Sequence, residues 1–132
     1  MLMIVHYLQC AVNPPILPNL LKLFPLYFDN PSLDPRLLRS DLDLHIPDIP
    51  KNERSLLDLL YGFYNYYAYF NYEKYGISIR NACVFDRSQH TICTQDYNFF
   101  LEEPYHLRTI AMSKLKSVQT YMTETFHFLM GK

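Results

Sequence analysis

The side chains most capable of chemistry fall into two groups. In the first, Ser40-Asp41-Leu42-Asp43-Leu44 places two carboxylates at i and i+2. On a strand, that spacing points both to one face. Paired carboxylates of this kind can hold two divalent ions for in-line phosphoryl transfer. Such a centre also needs an upstream Gly-Ser turn for a triphosphate and a third carboxylate on a later strand. No glycine precedes Gly62, and Pro35, Pro47 and Pro50 flank the segment. The pair therefore reads as a solvated acidic loop.

The second group is Cys83, His90, Cys93 and His106. Structural zinc sites are built from close pairs that a single turn presents together. Separations of seven, three and thirteen residues do not provide them. Cys83 and Cys93 read instead as small buried residues on a pair of strands. No G-x-S-x-G nucleophile turn is present. The three glycines, Gly62, Gly76 and Gly131, are too scattered to cradle a phosphate. His6 lies on an apolar helical face, where a histidine reads as a hydrogen-bonded core residue.

The elements that position these residues follow from periodicity. Leu2, Val5, His6 and Gln9 repeat at helical spacing over residues 1–12, and Asn13-Pro14-Pro15 stops the helix. Residues 16–20 read as extended. Eight of the nine prolines precede residue 51. The stretch from Pro25 to Pro50 thus reads as a surface connection with one short helix near Arg36–Leu38. Residues 53–70 form the strongest helix, with Asn52 as its N-cap. Seven of the twelve tyrosines lie between Tyr61 and Tyr75. That helix is apolar almost all round, so it should be buried on several sides. Its aromatics read as core rather than as a base-stacking platform, and Gly62 implies a close neighbour. Ile77-Ser78-Ile79-Arg80 alternates as a half-covered strand should. Val84-Phe85 and Ile92-Cys93 are further strand candidates, Asp86–His90 a polar turn, and Phe99-Phe100-Leu101 another apolar run. The final helix carries Ala111, Leu115, Val118, Met122, Phe126 and Leu129 as its stripe, with Gly131 as the stop.

Composition limits the function. The chain has 132 residues, 49% hydrophobic and 19% charged, with a formal charge of −1. It is therefore neither disordered nor an obvious nucleic-acid binder, because phosphate neutralisation needs surplus Lys and Arg. No run of about 18 apolar residues suggests a membrane span. Three cysteines and the lack of a secretory pattern point to reduced thiols inside the cell.

Two stretches resemble a known family. Lys51-Asn52-Glu53-Arg54-Ser55-Leu56-Leu57-Asp58-Leu59-Leu60-Tyr61-Gly62-Phe63, continuing through Tyr66-Tyr67 to Phe70 and Ile77-Ser78-Ile79-Arg80, resembles the PAP-associated domain. That domain occurs in cytoplasmic poly(A) polymerases and terminal uridylyltransferases. His6-Tyr7-Leu8-Gln9 and Pro14-Pro15-Ile16-Leu17-Pro18-Asn19-Leu20 are similar to the family's central-domain helix and the segment that follows it. Glu102-Glu103-Pro104-Tyr105 is similar to the acidic-Pro-aromatic motif that opens the last helix.

The resemblance implies an α+β, predominantly helical fold. Residues 1–50 would be a helical central-domain remnant with a proline-rich connection. Residues 51–132 would be the PAP-associated domain, with a small strand insertion and a long C-terminal amphipathic helix. It implies nucleotide contacts from Glu103, His106 and Thr109. A histidine at the Thr109 position marks uridine-selective members, so threonine there leans towards adenosine. His106 departs from the Asp or Glu common at its position. The catalytic carboxylates, and the Mg²⁺ or Mn²⁺ they hold, would belong to a domain outside this sequence. The expected function is the ATP- or UTP-binding and RNA 3′-end-binding half of a cytoplasmic RNA nucleotidyltransferase, inactive alone, with neither membrane nor DNA as a partner. The alternative is a non-catalytic module that docks a catalytic domain or an RNA-binding adaptor.

Overall fold

A computed structural model describes residues 1–38, 43–89, 99–102, 107–110 and 112–131. The chain begins with α1 (Leu2–His6), which widens into a π-helical turn over Tyr7–Ala11. Two short helices follow, α2 (Leu20–Leu23) and α3 (Pro25–Phe28). The long helix α4 (Leu56–Ala68) leads to β1 (Tyr75–Ser78) and β2 (Cys83–Asp86). Strands β3 (Phe99–Glu102) and β4 (Leu107–Ile110) precede α5 (Met112–Leu129). The fold is α+β and predominantly helical.

Helix α4 starts at Leu56 because Ser55, not Asn52, is its N-cap. The Ser55 hydroxyl accepts from the Asp58 amide at 3.1 Å, and Asp58 reaches back to the Ser55 amide at 3.4 Å. This reciprocal box satisfies two amide donors that the first turn would otherwise leave unpaired. Asn52 ties the approach to α4 down instead, donating to the Pro14 carbonyl at 2.7 Å. A Cβ on Gly62 would collide with the Tyr7 hydroxyl, which is how α1 and α4 approach so closely.

The four strands form one sheet in the order β2-β1-β3-β4. β1 pairs antiparallel with β2 and parallel with β3, and β3 pairs antiparallel with β4. The alternation at residues 77–80 suggested a half-covered strand, but Gly76, Ile77 and Ser78 are all buried. A central strand covered on both faces loses its burial alternation. The polar Ser78 is tolerated because its hydroxyl accepts from the Asn81 amide at 3.0 Å. The core gathers Tyr7, Tyr67, Phe70, Tyr72, Ile77, Leu101 and Leu115 from α1, α4, the sheet and α5.

Three other expectations need correction. The proline-rich stretch is not wholly irregular. Asn19 caps α2 and donates to the Arg80 carbonyl at 3.0 Å, while Arg80 donates to Asp29 at 3.0 Å. These bonds strap α2 and α3 to the β1–β2 connection, and the short helix near Arg36 is a 3₁₀ turn over Pro35–Leu37. Strand β4, unforeseen, separates the acidic-Pro-aromatic motif from α5, so the motif does not open that helix. In α5, Leu115 alone of the described stripe is fully buried; Val118, Met122, Phe126 and Leu129 are half-buried. Gly131 adopts φ 72, the left-handed conformation that ends a helix without a Cβ clash.

Candidate functional site

Of the predicted nucleotide contacts, Thr109 is on a described element, strand β4. Leu101 is buried and stands opposite Ile77 of β1, which anchors β3 to the centre of the sheet. β4 is an edge strand, as is β2, and Thr109 stands opposite Phe100 in its register. Glu102 and Leu107 are the last register partners before the connection that contains Glu103 and His106. Glu103 and His106 themselves lie outside the described residues. The structure thus sets the backbone place of Thr109.

The described residues hold only part of the metal-type constellations. Asp41, His90, Cys93 and His106 lie outside the described residues, and Asp43 is exposed and in no strand. Cys83 sits in β2, half-buried. Among the described residues, no three His, Cys, Asp or Glu side chains gather to hold a metal ion.

Histidine 6 is the polar centre of the core. It is 0% exposed. The Tyr67 hydroxyl donates to the Met3 carbonyl at 2.8 Å and also lies 2.8 Å from His6 Nδ1. A hydroxyl has one proton to give, so here it accepts, and Nδ1 carries the imidazole proton. Nε2 is then free to accept from the Cys10 thiol at 3.1 Å. The Cys83 carbonyl also lies 3.2 Å from Nε2, where it favours the charged ring. Burial opposes that charge and lowers the His6 pKa to about 4, although the Cys83 carbonyl pulls the other way. Burial, with Cys83 nearby, also pushes the Cys10 thiol up to about 11. Cys10 and His6 are therefore a neutral S–H···N contact rather than a nucleophile with its base. They join α1 and its π-helical turn to α4 and β2.

The tyrosines of α4 and the segment after it pack against neighbouring aromatic rings, phenylalanines above all. Tyr66 and Tyr67 meet edge to face at 4.9 Å and 89°, and Phe70 and Tyr72 at 5.0 Å and 60°. Edge-to-face packing occupies the ring faces that a base would need. Burial raises Tyr66 to about 12 and also raises Tyr67 and Tyr72. Their hydroxyls stay protonated. The Tyr72 hydroxyl donates to the Tyr67 carbonyl at 2.7 Å, closing the chain after α4.

One feature escaped the sequence reading. The first turns of α4 are not buried: Leu56 is 83% exposed and Leu57 54%. Beside them, between α1 and α4, runs an apolar groove of about 280 Å³ lined by Ile4, Tyr7, Leu8, Leu59, Leu60 and Phe63 among others. The signal was present in the all-round apolarity of α4, which this chain covers on one side only at its N-terminal end.

A mainly helical α+β fold, with a capped aromatic helix feeding a central Ile-Ser strand, agrees with the resemblance to the PAP-associated domain. Residues 55–108 match the family model described as Cid1 family poly A polymerase. A solved structure, described as "structure of GLD-2/RNP-8 complex", superposes with a TM-score of 0.72 at 29% identity over 98% of this chain. This chain spans 40% of the length of that solved chain. No curated protein matches it in sequence.

Proposed function

We propose that this chain is the nucleotide- and RNA-binding half of a template-independent RNA nucleotidyltransferase that adenylates RNA 3′ ends in the cytoplasm, and that it is inactive alone. The family match over residues 55–108 carries this reading, because it runs from α4 through Glu103 and His106. Glu103 would accept a hydrogen bond from the base amino group or an intervening water. Thr109 would leave room for a purine where uridine-selective relatives carry a histidine. The metal-dependent transfer would belong to a separate catalytic domain holding Mg²⁺ or Mn²⁺.

The test is primer extension with RNA, Mg²⁺ or Mn²⁺, and ATP or UTP. These 132 residues should add no tail. Measurable extension would overturn the inactivity. Nucleotide binding is read separately by NMR titration, where ATP should shift β4 amides and Glu103→Ala should abolish the shifts. An unchanged titration in that variant would remove Glu103 from the site.

A second reading, a protein-docking module, is favoured by the exposed groove between α1 and α4. The partner would be a catalytic domain or an RNA-binding adaptor, in keeping with a related chain solved in a two-protein complex. Gel filtration tests it. A monomer that ignores a catalytic domain supplied in trans would argue against docking.

A further inference from the structure

We draw no further inference here: the strongest candidate, the apolar groove between α1 and the first turns of α4, is already part of the docking reading, and nothing in the structure shows what covers it.

Discussion

Acid should loosen this protein through one residue. His6 falls from an ordinary 6.5 to about 4 in the folded chain. In the unfolded chain it takes up a proton below pH 6.5, whereas the folded state resists it. The unfolded state therefore binds more protons between those values, and stability must fall as pH drops. Its contribution is complete above pH 6.5, declines by up to about 1.4 kcal/mol per pH unit within the window, and levels off below about pH 4. The full interval of 6.5 to about 4 corresponds to roughly 3 kcal/mol. That is a large share of the 5–15 kcal/mol typical of a domain. Asp34 and Asp86, held below the usual carboxylate range by hydrogen bonds to Arg36 and Ser88, lose their contributions only at lower pH. The assay is urea unfolding at half-unit steps from pH 7.5 to 4, comparing the native chain with His6→Gln. Glutamine keeps an amide donor and acceptor but does not titrate. The native curve should slope through the window, and the variant should lose most of that slope. Equal slopes, or a flat native curve, would show that His6 is not the buried neutral group described above.

Three further changes probe the scaffold. Tyr67→Phe removes the hydroxyl between His6 Nδ1 and the Met3 carbonyl; it leaves the buried His6 Nδ1 without its partner, while the Met3 carbonyl keeps the Tyr7 amide. It should cost about 1–3 kcal/mol in chemical denaturation, and a loss under about 0.5 kcal/mol would mean that water replaces the hydroxyl. Ser55→Ala breaks the capping box and should cost about 1 kcal/mol, read as a lower thermal midpoint and faster amide exchange in the first turn of α4. Leu115→Ala should cost about 2–5 kcal/mol, whereas Leu56→Ala should stay within about 0.5 kcal/mol, because only the first side chain is buried. Equal costs at the two positions would contradict the assignment of α4's first turns to the surface.

Local rules were legible where one short-range effect dominates. The stop at Asn13-Pro14-Pro15 and the left-handed Gly131 follow from backbone limits that need no distant partner. The close approach at Gly62 and the core role of His6 were also legible, because each residue type has few other uses on an apolar helix. Strand β4 was not, since the Leu-Arg-Thr-Ile run has no period of its own and becomes a strand by pairing with β3. The N-cap was misplaced by three residues because Asn52 and Ser55 are both good caps, and choosing between them depends on Asn52 being drawn to Pro14.

The order of residues by itself determined the family resemblance and the helical weight of the fold, because capping, turn and apolar spacing are written in near neighbours. Tertiary structure alone decided which apolar faces are covered. α4 looks equally apolar along its whole length, yet Tyr67 is sealed beneath α1 while Leu56 stands in solvent. Burial belongs to a pair of surfaces, and a linear pattern describes only one of them.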